Sequence, residues 1–265
     1  MLTLVEAIIL GIVQGIAEWL PISSEGMTSL VMVNVFDMTL SEAIPFAIWL
    51  HIGTLLSATI YLRHEVMGIL RELPDYVQSF SSGSSHDATI TFLIISTVLT
   101  GIVGFPLMQF ATGFTDFSGA LATAFIGVLL IATGILQKVV SNGSIKKTLP
   151  QLSDSFIVGV AQGFAALPGV SRSGITVSAL LLRKYEASEA IKLSFLMSIP
   201  TVLVAEVGIG LMGLVTVDRY AVVALFFAFV FGLLTIDMFL KVAERMDFSN
   251  FCIALGFLSI LALLL

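Results

Sequence analysis

Residues 168–174 read Pro-Gly-Val-Ser-Arg-Ser-Gly, and residues 21–26 read Pro-Ile-Ser-Ser-Glu-Gly. Each of these polar turns interrupts a longer apolar stretch, over 153–183 and 2–34 respectively. Proline and glycine end helices at such positions, and the apolar half on either side is too short to cross a bilayer alone. We therefore expect each stretch to form a re-entrant hairpin, in which a half-helix enters the membrane, turns at depth and returns.

The composition around these turns is that of a membrane protein. Of the 265 residues, 57% are hydrophobic and 11% are charged, whereas a soluble domain carries about 25% charged residues. This composition excludes a soluble enzyme, and we expect one integrated membrane domain over 1–265. The single cysteine, Cys252, excludes an internal disulfide and a thiolate metal cluster. Residues 1–10 lack a basic region and a cleavage site, so we expect no removed signal peptide.

Six further stretches are long and apolar enough to span a bilayer core, which needs about 20 apolar residues per helix. These stretches are 42–62, 88–110, 118–137, 190–213, 220–240 and 248–265. The predicted fold class is therefore an all-α integral membrane protein with six transmembrane helices and two re-entrant helical hairpins.

Lysine and arginine residues indicate how this chain is oriented in the cell membrane. With six spans and two hairpins, ten of them fall on one side and only Arg219 on the other, while Arg172 lies inside the second turn. The ten are Arg63, Arg71, Lys138, Lys146, Lys147, Arg183, Lys184, Lys192, Lys241 and Arg245. Because basic residues accumulate on the cytoplasmic side, we expect both termini outside, the first hairpin dipping from the outside and the second from the cytoplasm.

The two broken stretches also repeat each other in sequence. Seven of the 18 positions in 11–28 recur identically at an offset of 148, and seven of the 16 in 41–56 recur at an offset of 147. Composition alone does not explain glutamine, glutamate and glycine recurring in the same order. Since the charge pattern gives the halves opposite orientations, we predict an inverted repeat. The repeats are about 1–137 and 153–265, joined by a cytoplasmic loop at 138–152.

Inverted repeats built with broken helices place their binding site near the membrane midplane, where the repeats meet. Ser23 and Ser171 are predicted to cap the returning half-helices. The free N–H groups and positive dipole ends of both helices would then face one shared cavity. Such a cavity suits an anion.

The polar residues of the two hairpins suggest the chemistry of this cavity. Gln14 and Glu18, spaced four apart, share one helix face. They are candidate ligands for Mg²⁺ or Ca²⁺ bound against diphosphate oxygens, and a serine beside Glu18 can act as nucleophile or position water. Arg172 is suited to bind phosphate bidentately. The predicted diphosphate-binding residues are Ser23, Ser171, Arg172, Ser173, Gly174 and Thr176.

Purely structural roles are alternatives for these residues. Gln14 can serve only to join helices, Glu18 and Arg172 can form a structural ion pair, and the two serines can act only as caps. Capping does not exclude a phosphate contact. His51, in the middle of a predicted span, is either a packing histidine or a site residue.

At these residues the chain resembles the undecaprenyl-diphosphate phosphatase family, also called the bacitracin-resistance (BacA) family. The family's first motif, a Glu or Gln followed four residues later by Glu and then by a Pro-x-Ser-Ser turn, matches residues 14–24. Its second motif, Pro-Gly-x-Ser-Arg-Ser-x-x-Thr, matches residues 168–176. The resemblance covers essentially the whole chain. It implies hydrolysis of the terminal phosphate of a C55-type diphosphate, using a divalent cation, to regenerate the monophosphate carrier for envelope glycan synthesis such as that of peptidoglycan.

The resemblance also implies roles for individual residues. Glu18 would be the key acid and Ser24 the nucleophile. Arg172, together with the hydroxyl groups around it, would hold the diphosphate.

One position departs from the family pattern. After the Ser-Ser turn the family usually has Thr-Gly-His, with a catalytic histidine, whereas this chain has Glu25, Gly26 and Met27. Methionine can neither transfer a proton nor attack phosphorus. Three explanations stay open: Glu25 takes over as base or metal ligand, His51 supplies an imidazole, or the protein binds and moves the lipid without hydrolysing it.

Two classes of function follow from these patterns. The first is an integral membrane diphosphatase, and the alternative is a polyprenyl-phosphate lipid flippase or transporter. We expect the partners to be the polyprenyl diphosphate substrate and membrane lipid, not nucleic acid, and a homodimer stays among the alternatives. The long lipid tail also requires a lateral opening between helices, which the sequence does not locate.

Overall fold

The structure is a computed structural model that describes residues 2–82, 87–113, 120–139, 147, 149–211, 213, 217–243 and 248–261. Over these residues the regular structure is helical, and the predicted all-α class is confirmed. The helices are α1 (Leu4–Ala17), α2 (Ser24–Val35), α3 (Leu40–Tyr61), α4 (Arg63–Ser82), α5 (Ala88–Gly113), α6 (Ala120–Val139), α7 (Leu152–Gly163), α8 (Arg172–Leu182), α9 (Ala187–Leu211), α10 (Arg219–Ala243) and α11 (Ser249–Leu261), with a 3-10 turn at Phe164–Ala166.

Four of these helices are long and apolar enough to cross a membrane, which is expected of a multi-pass membrane protein. They are Leu40–Tyr61, Ala88–Phe110, Ala187–Leu211 and Arg219–Val242. They fall on four of the six stretches predicted from sequence.

The other two predicted spans correspond to α6 and α11. The apolar parts described there are shorter, Thr123–Val139 and Ser249–Leu261. Residues 118–119 and 262–265 of these two predictions lie outside the part of the chain that the structure describes.

Both broken stretches form helical hairpins, α1 with α2 and α7 with α8. These helices have 14, 12, 12 and 11 residues, so each is at most about 21 Å long at 1.5 Å per residue, short of a bilayer core of about 30 Å. The side chain of Ser23 accepts the N–H of Gly26 at 3.2 Å, and that of Ser171 accepts the N–H of Gly174 at 3.0 Å. The two predicted N-caps are thereby confirmed.

Glycines repeated between the hairpins allow each one to pack closely on a long helix of the other half. In α1, a Cβ at Gly15 would lie only 2.8 Å from the carbonyl oxygen of Ala228 in α10. At the equivalent position of α7, a Cβ at Gly163 would lie 2.5 Å from Cβ of Val103 in α5. A side chain at either glycine would force these helices apart, which gives the repeated glycines a physical reason.

The two hairpins enter the molecule from opposite ends. Helices α3 and α9 run antiparallel. Ile48, in the first half of α3, and Val202, in the second half of α9, line one cavity. Leu62, just after α3, and Ile191, near the start of α9, belong to one apolar cluster. Helix α1 runs parallel to α10, which runs parallel to α3. Helix α7 runs parallel to α5, which runs parallel to α9. The turns of the two hairpins therefore approach each other inside the helix bundle.

The buried carboxylate of Asp154 stabilises the open end of the second hairpin. Asp154 in α7 accepts hydrogen bonds from Arg183 Nε at 2.5 Å and from the Tyr185 hydroxyl at 2.6 Å, and Lys147 Nζ lies 3.7 Å away. Burial and the neighbouring Asp154 raise the pKa of Tyr185, so its hydroxyl remains a proton donor. These contacts tie α7, the segment after α8 and the loop before α7 together.

Candidate active site

The turns of the two hairpins meet at a small polar cavity. A Cβ added at Gly26 would lie 3.0 Å from Cα of Gly169, which itself has φ of +103° and so favours glycine. The lining comes from the first turn of α2, the first turn of α8 and the residues around them. It consists of Glu18, Leu20, Ser23, Ser24, Glu25, His51, Ala165, Val170, Ser171, Arg172 and Ser173.

Glu18, which is 6% exposed, lies at the centre of the polar contacts in this cavity. Its Oε2 accepts hydrogen bonds from Ser24 Oγ at 2.6 Å and from Gln14 Nε2 at 3.0 Å, and lies 3.2 Å from His51 Nε2. Its Oε1 accepts a hydrogen bond from Arg172 Nη2 at 2.5 Å. The two hairpins thus bring the carboxylate of one half and the guanidinium of the other into direct contact.

Arg172 is held in place on three sides. Besides Glu18, its Nη1 donates to the carbonyl of Ser194 at 3.4 Å, and its guanidinium lies 5.6 Å from the ring centroid of Phe195 in α9. A guanidinium has five N–H donors in a fixed plane, and these contacts use only some of them. The remaining donors are available to an anion in the cavity.

His51 lies in the site, and its contacts indicate its charge. Nδ1 lies 2.8 Å from the carbonyl oxygen of Ala47, and Nε2 faces the carboxylate of Glu18. The carbonyl of Ala47 and an ionised Glu18 can only accept hydrogen bonds, so these contacts favour a proton on each ring nitrogen. The positive charges of His51 and Arg172 then face the carboxylate of Glu18, and Glu25 lines the same cavity.

Gln14 contacts polar groups of its own hairpin. Its Nε2 donates to Glu18, and its Oε1 lies 3.2 Å from the hydroxyl of Thr28, whose single proton also faces the closer carbonyl of Ser24 at 2.7 Å. In this arrangement Gln14 orients Glu18. The amide oxygen expected to contact a metal is directed at Thr28.

Glu25 differs from Glu18 because one of its carboxylate oxygens has no partner. Its side chain lines the same cavity, the residue is 9% exposed, and Oε1 is buried without a hydrogen bond. A buried carboxylate oxygen in this state is able to accept a donor group, a water molecule or a cation. Since Mg²⁺ and Ca²⁺ bind carboxylate oxygens and Mg²⁺ often needs only one or two protein carboxylates besides substrate phosphates, the donor set fits a divalent cation through Glu25.

The predicted phosphate-binding serines lie at the cavity. Ser23 has the left-handed backbone φ of 63°, which is unfavourable for a residue with a side chain and is typical of functional turns. Ser171 Oγ lies 3.4 Å from Ser173 Oγ, and Ser173 Oγ donates to the carbonyl of Leu20 at 3.3 Å. The hydroxyls of Ser171 and Ser173 therefore stabilise the turns as well as lining the cavity.

Gly174 and Thr176 are not part of the cavity lining. A Cβ at Gly174 would lie 2.6 Å from Gln137 Nε2, so this glycine allows α8 to approach α6. Thr176 Oγ1 lies 2.7 Å from Ser194 Oγ and 2.8 Å from the carbonyl of Arg172. Both residues position α8, and neither contacts the space where the anion would lie.

Two residues of α6 that the sequence did not single out support both turns. Gln137 Nε2 donates to the carbonyl of Pro21 at 2.6 Å. Thr133 Oγ1 donates to the carbonyl of Gly169 and accepts the N–H of Ser171, each at 3.3 Å. The available signal was two polar residues four apart on one face of an otherwise apolar predicted span.

Comparisons with known proteins identify the family of this chain. The family model described as bacitracin resistance protein BacA matches residues 7–261. An undecaprenyl-diphosphatase of Methanococcoides burtonii is 64% identical over 265 residues, covering the whole of both chains. An undecaprenyl-diphosphatase of Haloarcula marismortui is 38% identical over 98% of this chain and 97% of its own, and one of Methanopyrus kandleri is 37% identical over 96% and 94%. The chain therefore belongs to the bacitracin resistance protein BacA family.

Proposed function

We propose that this protein hydrolyses a polyprenyl diphosphate of the undecaprenyl type to the monophosphate lipid carrier and inorganic phosphate. The observation that carries this proposal is the set of contacts around Glu18. One carboxylate oxygen accepts the hydroxyl of Ser24 at 2.6 Å, and the other accepts Arg172 at 2.5 Å. A nucleophile with its base and an arginine beside them are what phosphoryl transfer requires.

Binding of the diphosphate would rearrange the ion pair between the hairpins. A phosphate entering the cavity competes with Glu18 for the guanidinium of Arg172, because arginine binds phosphate bidentately. The N–H groups of Gly26 and Gly174 are capped by serines. The N–H groups of the two residues before each of these glycines have no intrahelical partner, and those residues line the cavity. When Arg172 turns to the phosphate, Glu18 is left with neutral donors and His51.

The released Glu18 is then placed to take the proton of Ser24. The Ser24 oxygen attacks the terminal phosphorus, the bond from that phosphorus to the bridging oxygen breaks, and Glu18 gives the proton to the departing monophosphate. Water next attacks the phosphoserine. Glu18 takes the proton of this water and returns it to Ser24 Oγ as inorganic phosphate leaves. Arg172 and the helix N-termini stabilise the charge that develops on the phosphoryl oxygens.

A divalent cation, Mg²⁺ or Ca²⁺, completes the proposed site, with Glu25 as its protein ligand. When bound, it would neutralise charge on the diphosphate oxygens. Glu25 is a better candidate than Gln14 or Glu18, because the polar atoms of those two side chains already contact Ser24, Thr28, His51 and Arg172.

The membrane arrangement that we propose has six spans and two re-entrant hairpins in an inverted repeat. Support comes from the opposite directions of α3 and α9 and from hairpin helices that are too short to cross. The excess of lysine and arginine on one side supports external termini in the cell membrane. In this arrangement the site lies near the midplane, where the turns meet.

Phosphate release by the purified protein tests the proposed function. In detergent, with undecaprenyl diphosphate and Mg²⁺ or Ca²⁺, we expect turnover by the natural sequence and a loss of about a thousandfold or more in Ser24→Ala. Ser29→Ala, five residues further along α2, is the matched control, because the buried Ser29 does not line the cavity. Normal turnover in Ser24→Ala would exclude the nucleophile. Lipid translocation without phosphate release in the natural sequence would favour the transport alternative.

A further inference from the structure

A second, larger cavity adjoins the polar one. It has a volume of about 170 Å³ and lies between α5, the 3-10 turn after α7, and α9. Glu25, His51, Ala165 and Arg172 line both cavities, so the two spaces meet at these four residues. Most of the remaining lining is apolar or glycine.

The sequence repeat explains why this second space is apolar. In the sequence repeat, the residue equivalent to Glu18 lies 148 positions later and is Ala166, which lines the cavity. At the offset of 147, the position of His51 is taken by Ser198, whose hydroxyl donates to the carbonyl of Phe195 in its own helix. The second repeat therefore places no carboxylate or histidine at these two positions, and the charged residues that line the cavity are Glu25, His51 and Arg172.

The cavity opens toward the apolar outer surface of the helix bundle. Phe105 of α5 and Val204 of α9 both line it, and they are 46% and 53% exposed. Ile102 and Leu203, their neighbours on the same two helices, are 64% and 52% exposed. These exposed residues lie in the second halves of two candidate membrane spans, where an apolar surface is expected to contact lipid hydrocarbon.

The size of the cavity matches one short branched hydrocarbon unit. An apolar cavity of about 150 Å³ binds a molecule the size of benzene. The present cavity therefore has room for about one five-carbon isoprene unit, directly beside the phosphate-binding residues.

We propose that this cavity binds the isoprene unit next to the diphosphate, and that the rest of the chain leaves between α5 and α9 into the bilayer. This proposal rests on the proposed function, because it assigns the tail of the same substrate. It locates the lateral opening that a long lipid tail requires, and it makes the residues of α5 and α9 determinants of prenyl specificity.

Two glycines allow the cavity to be filled without disturbing the site. Gly101 in α5 and Gly208 in α9 line the cavity, and a Cβ at either would meet no atom within 4 Å. Leucine at these positions would occupy the proposed prenyl space. Gly210, two residues along α9, also has open space around its Cα but does not line the cavity, so Gly210→Leu is the matched control.

The test compares inhibition by geranyl phosphonate, which has a tail, with inhibition by methyl phosphonate, which has none. In Gly101→Leu and Gly208→Leu we expect the ratio of the two inhibition constants, geranyl over methyl, to rise about tenfold or more, since a few carbons in an apolar pocket are worth that much. Gly210→Leu should keep the natural ratio. An unchanged ratio in both cavity variants, with thermal stability retained, would overturn the proposal.

Photo-crosslinking separates this proposal from the proposed function. A prenyl phosphonate carrying a diazirine on its first isoprene unit should label peptides of α5 or α9 whether or not hydrolysis occurs. Labelling there without phosphate release from undecaprenyl diphosphate would refute only the hydrolysis. Phosphate release with labelling confined to other helices would refute only the prenyl cavity.

Discussion

Glu18 combines two properties that conflict in a buried carboxylate. Its oxygens receive donors from Gln14, Ser24 and Arg172 and face His51, so the charge is well compensated in the absence of substrate. The same contacts hold Oε2 of Glu18 against the hydroxyl of Ser24. A substrate that competes for Arg172 would change the balance, and the structure therefore suggests why a carboxylate and an arginine come from different hairpins.

Removing the charge of Glu18 should nearly abolish turnover while keeping the size and shape of the side chain. We expect Glu18→Gln to lower phosphate release by at least about a hundredfold, because an amide cannot accept the Ser24 proton. Glu6→Gln is the control at the other end of the same helix, where Glu6 caps the N-terminus. Steady-state phosphate release from detergent-purified variants checks this, and near-normal turnover in Glu18→Gln would mean that another group acts as base.

Glu25 should control the response to divalent cations. We expect Glu25→Ala to abolish most phosphate release at Mg²⁺ levels that saturate the natural protein, with folding intact, because the unpartnered Oε1 is lost. Glu25→Asp retains a carboxylate and should recover part of the activity at higher Mg²⁺. Titration of activity with Mg²⁺ and Ca²⁺ measures both, and undiminished turnover in Glu25→Ala would rule Glu25 out.

At the scale of the helices, the packing depends on helix backbones that approach each other closely at glycine residues. The hairpin α1–α2 belongs to the first repeat but packs on α10 of the second, and α7–α8 packs on α5 of the first. Each half of the chain therefore packs its hairpin against a long helix of the other half. Beside these glycines, long side chains also join the elements: Gln162 of α7 donates to Thr100 of α5, and Trp19 of the first hairpin donates to the carbonyl of Gly232 in α10.

Alanine at these glycines should destabilise the fold. Gly15→Ala places a Cβ 2.8 Å from backbone atoms of both Ala228 and Gly232, and overpacking of this kind costs about 1–3 kcal/mol. Gly210→Ala, with open space around it, should be neutral or more stable by about 0.5–1 kcal/mol, because alanine favours the helix. Thermal unfolding in one detergent compares the variants. Equal melting temperatures would show that α1 and α10 separate at little cost.

At the scale of the whole molecule, the proposed topology places the two ends of the helix bundle on opposite sides of the membrane. Asp37, between α2 and α3, would lie outside, and Leu149, before α7, would lie in the cytoplasm. Both residues are exposed. In a Cys252→Ser background, we expect Asp37→Cys to react with a membrane-impermeant maleimide in intact cells, and Leu149→Cys to react only after permeabilisation. The reverse pattern would invert the topology, and labelling of both in intact cells would contradict it.

The sequence was sufficient for the all-helical class, the places where two apolar stretches break and the two capping serines. Each of these depends on local chemistry: apolar periodicity, proline and glycine at the turns, and a hydroxyl three residues before the N–H that it accepts. It also singled out Glu18 and Arg172 as candidate site residues, because a charge in an apolar segment is costly enough to indicate function, and the structure places the two side chains in contact.

Only the tertiary structure decided how these residues combine. In the structure, His51 faces Glu18, and Gln14 contacts Glu18 and Thr28. One oxygen of Glu25 has no hydrogen-bond partner, and Thr176 does not line the cavity. Hydropathy and local spacing do not record how far one helix rotates or slides against another. That is set by contacts between residues more than a hundred positions apart, such as Glu18 with Arg172 and Gly15 with α10, and these exist only once the chain has packed.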